Sequence, residues 1–237
     1  LNTYPDRKLV EAAMAKAMIV TSDLFLNETA AKSCVVLPAA SLAEKTGSYT
    51  TVDGTVKTFK AAKKAEGSAQ PDGDILVALA NAIGVKLASN PTETAREIAA
   101  NVGKLENGAV LSGAPAGLLP AAAAAETPAG LVLVPVARLY AGGSTAKFDE
   151  GFNHVQPKPE ARFNPADAKA MGLVAGEKVE VTANGAALKA TVVIDKNVVA
   201  GTVQAIRGLA DAPVNALTAG TAPVAVTVAK LAVEVAD

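Results

Sequence analysis

The side chains able to do chemistry in this 237-residue sequence are few: one thiol, one imidazole and several short charge clusters. Cys34 precedes the apolar run Val35-Val36-Leu37. It reads as a buried structural thiol, because a reactive thiol needs exposure and cationic neighbours. His154 stands in the polar stretch "FNHVQPKP", with no partner in sight for acid–base work, and reads as a surface loop residue. Glu44 and Lys45 could form an acid/base pair, but a carboxylate capping nearby backbone donors accounts for Glu44 as well. Gly142 and Gly143, followed by Ser144, Thr145 and Lys147, could turn backbone amides toward an anion. Their spacing misses the phosphate-loop pattern, so a partner-contacting loop is the competing reading. Lys60, Lys63 and Lys64 form a solvated cationic face or a docking patch for an acidic partner. Asn27 in "NETA" is a helix cap or a nucleotide contact. From these residues alone the expected catalytic, cofactor-binding and metal-binding sets in this segment are all empty.

Composition supports that restraint. Lysine plus arginine number 22 against 23 aspartate plus glutamate, so the cationic excess that drives binding to nucleic acid or an anionic membrane is missing. A single cysteine allows no internal disulfide and no iron–sulfur cluster held by this chain alone, since a cluster takes about four thiolates. With one histidine, a zinc site has too few ligands. No apolar run nears the roughly 20 residues that span a bilayer, and no signal-peptide pattern opens the chain. The chain begins at Leu1, and is expected to be a piece of a larger molecule.

The elements that must position these residues alternate at first between helix and strand. Pro5 and Asp6 start a helix with Leu9, Val10, Ala13, Met14 and Ala17 on one face. "MIVTSD" reads as a strand, "NETAAKS" as one or two helical turns and "CVVLP" as a buried strand. That alternation predicts a parallel sheet flanked by helices. "DILVALANAIG" is a helix with Ile75, Leu76, Leu79, Ala80 and Ile83 on one face and Gly84 as its C-cap. "TAREIAANVG" is another, with Thr94 and Glu97 at capping-box spacing and Gly103 at its end. The Ala-, Pro- and Gly-rich stretch 114–129 reads as a linker, with a short alanine helix between Pro120 and Thr127 as the alternative. Beyond it "LVLVPVARLY" is a strand, and "NPADAKAMG" a short helix with Asn164 as N-cap and Pro165 at the first position. "EKVEVTANGAALKATVVI" is a hairpin turning on Asn184-Gly185. "AGTVQAI" and "APVAVTVAKLAVEV" add strands, enough to close a barrel. The fold class is therefore α/β followed by mainly β, with domains 1–113 and 130–237 joined by the linker.

Two stretches resemble molybdopterin oxidoreductases. One runs through Asp23, Glu28, Thr29, Ala30, Val35, Val36, Leu37, Pro38, Glu44, Gly47 and Gly54. The other runs through Asn164, Pro165, Asp167, Ala168, Gly172, Leu173, Gly176 and Glu177. The first is similar to part of the family's α/β domain. The second is similar to its C-terminal double-psi β-barrel, the module that binds the molybdopterin dinucleotide. Within that superfamily "VPVARLYAGGSTAKFDEGF", from Val134 to Phe152, resembles an iron–sulfur subunit family of NADH:quinone oxidoreductase, respiratory complex I. The chain departs from the superfamily at Cys34, where Asp is common, and at Asp53-Gly54-Thr55, where Glu-Gly-Arg is common. A threonine cannot pair a phosphate bidentately as an arginine does.

The resemblance implies a scaffold role in electron transfer from NADH to quinone. The chain would be an oxidoreductase by membership of a complex, with no cofactor in this segment and iron–sulfur clusters expected in a missing N-terminal region. It implies other subunits of the peripheral arm as partners, no nucleic acid, no direct membrane insertion, and a place at the cytoplasmic side of the bacterial inner membrane through the complex. Self-association of the isolated fragment is also expected. Two alternatives stay open: the C-terminal part of a genuine molybdopterin enzyme of the formate dehydrogenase or nitrate reductase type, and a free-standing interaction module.

Overall fold

The computed structural model describes residues 1–232 apart from 2, 54, 89, 103–125, 143 and 144. The positions Gly54, Gly103, Gly143 and Ser144, and most of the linker, lie outside the described residues. The chain divides into two units, one of residues 19–121 and one that joins residues 1–18 to residues 122–237.

The chain opens with helix α1 (Arg7–Met14), capped by Asp6, whose side chain accepts from Leu9 N–H at 2.9 Å. Against the expectation that this helix belongs to the α/β unit, it packs with the β-rich one. Hydrogen bonds hold it there, from Asn215 Nδ2 to the carbonyls of Leu1 and Tyr4 at 2.7 and 2.8 Å, and from Thr218 to Pro5. The inward face also differs from the apolar stripe. Arg7 is buried, with Val10, Glu11 and Met14 half-buried, while Leu9 is 58% exposed. Spacing of three and four residues still sets the face, but the surface it meets selects which stripe is turned in.

The unit of residues 19–121 starts with β1 (Val20–Asp23), α2 (Glu28–Ala31) and β2 (Val35–Pro38). The two strands pair in parallel, Val20 with Val35 through Asp23 with Pro38. Asn27 caps α2, accepting from Ala30 N–H at 3.0 Å. Neither strand is buried: Val20, Val35 and Val36 are 46%, 44% and 38% exposed. Cys34 is exposed too, against the expectation of a buried thiol. Parallel sheets ordinarily have both faces covered, and among the described residues only two strands form this one. A hairpin follows, β3 (Gly47–Thr50) and β4 (Val56–Phe59), with Gly47 opposite Phe59. Helix α3 (Asp72–Ala82) buries Ile75 and Ala80 and ends at Gly84, φ +75°. Leu76, Leu79 and Ile83 from the expected core face stay 57%, 45% and 77% exposed. Helix α4 (Pro91–Val102) begins three residues before the expected Thr94 cap. Asn90 takes that role, its Oδ1 accepting from Glu93 N–H at 2.9 Å.

The second unit is a closed six-stranded barrel. Its strands are β5 (Leu131–Val136), β6 (Glu160–Phe163), β7 (Lys178–Ala183), β8 (Ala186–Ile194), β9 (Thr202–Ile206) and β10 (Ala225–Lys230), ordered β10-β5-β9-β6-β8-β7. β5 runs parallel to β9 and β6 parallel to β8; the remaining neighbours are antiparallel. Strand β6, built on "EARF", carries no clear signal in the sequence. The β7–β8 turn is at Asn184-Gly185, with φ +49° and +67°, the doubly left-handed geometry of a tight hairpin. Between β6 and β7 lies α5 (Pro165–Ala170), capped by Asn164, which accepts from Ala166 N–H at 2.9 Å and donates to Val198 O at 2.7 Å. The core is made of small and branched side chains around Phe163, among them Val179, Val181, Val192, Val203 and Leu217, all essentially inaccessible. Closure leaves no free strand edge here.

Candidate functional site

Two places gather polar groups around a concavity or a strand end. The first lies wholly within the unit of residues 19–121. It is a cleft of about 900 Å³ bounded by the β3–β4 hairpin, the start of α3 and α4. Its charged lining is Glu44, Lys45, Asp72 and Asp74. Glu44 closes a capping box: its Oε2 accepts from Ser41 N–H at 2.9 Å, and its Oε1 pairs with Lys63 at 3.2 Å. The Ser41 N–H, before the Lys63 ammonium, holds the Glu44 carboxyl below the usual carboxylate range. Lys45 does not meet Glu44. It reaches Asp72 at 2.7 Å and is the main cause of that carboxyl's lowered pKa. The adjacent Glu-Lys pair is thus split between two structural networks. A carboxylate held ionised by a backbone donor makes a poor general base at neutral pH.

The second place is one end of the barrel. β5 and β9 are parallel and end together, Val136 opposite Ile206. Arg207 N–H donates to Val136 O at 3.0 Å, so the loops beginning at Ala137 and Arg207 leave side by side. Arg138 and Arg207 stand in these loops with exposed side chains. The same loops hold Gly142 and Gly208, φ +73° and +90°. A Cβ on Gly142 would lie 2.5 Å from Gly208 O, so this glycine is required by backbone packing rather than by room for a ligand. Tyr140, φ +60°, rests its ring against Phe152 at 5.1 Å between centroids. Lys147 lies over the Phe148 ring at 5.9 Å.

The other residues singled out in the sequence are scattered. His154 is exposed in its loop, and Cys34 is in the other unit. Lys63 is tied to Glu44 and Glu66, whereas Lys60 and Lys64 are exposed. Among the described residues no three His, Cys, Asp or Glu side chains converge as a metal site would require. Sequence reasoning misses Arg138 and Arg207: 69 positions apart in the chain, they stand in loops that leave adjacent strand ends only because β5 pairs in parallel with β9.

Comparison with known proteins bears on both units. Residues 1–82 match the family model described as Molybdopterin oxidoreductase, and residues 131–232 match the Molydopterin dinucleotide binding domain. The chain carries molybdopterin oxidoreductase family domains. It is 29% identical over 94% of its length to the NADPH-Fe(3+) oxidoreductase subunit alpha of Geobacter sulfurreducens, covering 28% of that protein. It is 30% identical over 78% of its length to an NADH-quinone oxidoreductase subunit of Streptomyces coelicolor, covering 22% of it. A shorter stretch, 34% of the chain, is 41% identical to the F420-dependent formate dehydrogenase subunit alpha of Methanocaldococcus jannaschii. The chain therefore spans about a quarter of the curated relatives it matches along most of its length. Acetylene hydratase from Pelobacter acetylenicus shares the fold, with a TM-score of 0.65 at 17% identity over 86% of this chain and 35% of that one. Among the described residues no helix is long and apolar enough to cross a membrane.

A match to a dinucleotide-binding domain counts against the expectation that this segment takes no cofactor. Arg138 and Arg207, exposed in the loops that leave the paired ends of β5 and β9, are of the residue type that binds a pyrophosphate through paired N–H donors.

Proposed function

We propose that this chain is a scaffold segment of an electron-transferring oxidoreductase subunit of the NADH:quinone oxidoreductase type. On this reading the barrel adopts the double-psi form, and residues 1–113 and 130–237 correspond to the two family domains. The chain docks against other subunits of a peripheral arm at the cytoplasmic face of a membrane, and electrons pass through clusters held elsewhere in the full-length protein. The carrying observation is the span of similarity. A relative of the NADPH-Fe(3+) kind and one of the NADH-quinone kind align over 94% and 78% of the chain, while a second NADH-quinone relative, of Rhizobium meliloti, aligns over 25%. The formate dehydrogenase and assimilatory nitrate reductase relatives align over about a third of it or less, although at higher identity.

The split of Glu44 and Lys45 into separate structural pairs supports the same reading, because it leaves the cleft without an acid/base couple. The test is to purify the full-length native protein and measure iron, molybdenum and extractable pterin together with NADH-dependent electron transfer. Iron with no molybdenum or pterin is the expected result. Stoichiometric molybdenum and pterin would overturn it.

The molybdopterin-enzyme reading has one structural observation in its favour, Arg138 and Arg207 at the ends of paired strands. Those two residues would hold the dinucleotide's phosphates, and the group would supply redox chemistry at its metal. The residues of this chain would then bind and orient it.

A further inference from the structure

We propose that the cleft in the unit of residues 19–121 is a binding site for an uncharged, mainly apolar small molecule. The inference goes beyond the scaffold role and does not depend on it. The volume, about 900 Å³, lies within the range of about 300–1,000 Å³ typical of small-ligand sites. Val56, Phe59, Ala88, Ala95 and Ile98 supply apolar walls. Val56 and Ile98 are 51% and 49% exposed, apolar surface that a ligand would remove from water.

The charges decide the ligand class. Of the four charged lining residues three are carboxylates and one is an ammonium, so anions are disfavoured. Lys45 and Asp72 engage each other and Glu44 is held by Ser41 and Lys63, so three of the four offer no free countercharge; the fourth, Asp74, is exposed to solvent. The hydroxyls differ among themselves. Thr46 accepts from Ala61 N–H at 3.2 Å, and Thr94 donates to Asn90 O at 3.0 Å. Ser48 and Thr50, two apart on β3, lie on the face of the hairpin that also carries Val56, the cross-strand partner of Thr50. They provide polar contacts beside an apolar wall, the composition expected where a few polar groups orient an otherwise apolar ligand.

The experiment uses the intact chain and Prodan, an uncharged naphthalene ketone whose fluorescence reports an apolar site. Saturable one-to-one binding is expected. Ala95→Trp, which fills the cleft, should weaken it at least about tenfold, as should Thr50→Lys, which puts a charge on the wall. Leu79→Glu, which breaks the exposed stripe of α3, should leave it unchanged. An anionic naphthalene sulfonate should bind at least about tenfold more weakly than Prodan. Circular dichroism of each variant checks folding, and Thr50→Lys decides the matter if Ala95→Trp does not fold. The proposal is overturned by non-saturable binding, by cleft variants that bind like the parent, by loss of binding in Leu79→Glu, or by tighter binding of the sulfonate.

Discussion

Gly142 and Gly208 meet backbone against backbone: a methyl group on Gly142 would sit 2.5 Å from the Gly208 carbonyl oxygen and 3.0 Å from its Cα. Both residues hold positive φ, at +73° and +90°. The contact ties the loop after β5 to the loop after β9, at the barrel end where Arg138 and Arg207 emerge.

Gly142→Ala should therefore cost about 2–4 kcal/mol of stability, the sum of a left-handed backbone and a main-chain clash. Gly172→Ala is the control. Its φ is +64°, but nothing lies within 4 Å of the added methyl, so the cost should be only about 1–2 kcal/mol. Urea unfolding of both variants tests the difference, and equal losses would show that the contact is not close in solution.

Arg162 ties two strand ends of the barrel, with Nη2 on Glu160 at 2.8 Å and Nη1 on Asp195 at 3.2 Å. All three side chains are more than 70% shielded from solvent. Arg162→Met should keep the stem packing and lose the charge-assisted bonds, lowering stability by about 1–3 kcal/mol. Added salt should shrink the gap between parent and variant only slightly, because a part-buried pair is screened weakly. Unfolding at low and high ionic strength reads this out.

Stability should be flat from pH 7 to 5 and fall below about pH 4. Five carboxyls are held below their usual range: Glu44 chiefly by Ser41 N–H, Asp53 by the Thr51 hydroxyl, Asp72 by Lys45, Glu177 by Val174 N–H and Asp195 by Asn197 N–H. A carboxyl with a lower pKa folded than unfolded adds stability that is complete above the unfolded value. That stability is lost as pH falls from there through the folded value. Denaturation midpoints at half-unit steps from pH 7 to 3 check this; a steady fall already between pH 7 and 5 would contradict it.

The isolated chain should self-associate through the unit of residues 19–121. Leu76, Leu79 and Ile83 form an exposed apolar stripe on α3, and Val20, Val35 and Val36 are exposed on a two-stranded sheet. Such surface favours association. Sedimentation should give a mass that rises with concentration, and Leu79→Glu with Ile83→Lys should lower it. A strictly monomeric parent would show that these faces are covered within one chain.

The local elements were legible wherever one short-range rule governs. Asn27, Asn164 and Gly84 act as caps because a side-chain oxygen or a left-handed backbone satisfies a helix end in any surroundings. Asn184-Gly185 makes its turn for a similar reason. The change from helix–strand alternation to β-rich sequence also gave the barrel, and the motif residues gave the superfamily. Tertiary structure decided what depends on partners distant in sequence. Cys34 precedes an apolar run, yet it is exposed because, among the described residues, the sheet there has two strands and uncovered faces. The first helix has an apolar stripe, yet Arg7 turns inward and Leu9 outward, because the helix lies against the barrel unit, about 200 residues on, through Asn215 and Thr218. Glu44 and Lys45 are neighbours in sequence and belong to different ion pairs, because each is reached by its own distant partner, Lys63 for one and Asp72 for the other. Periodicity records which residues prefer burial. Which surface is present to bury them is a property of the folded chain alone.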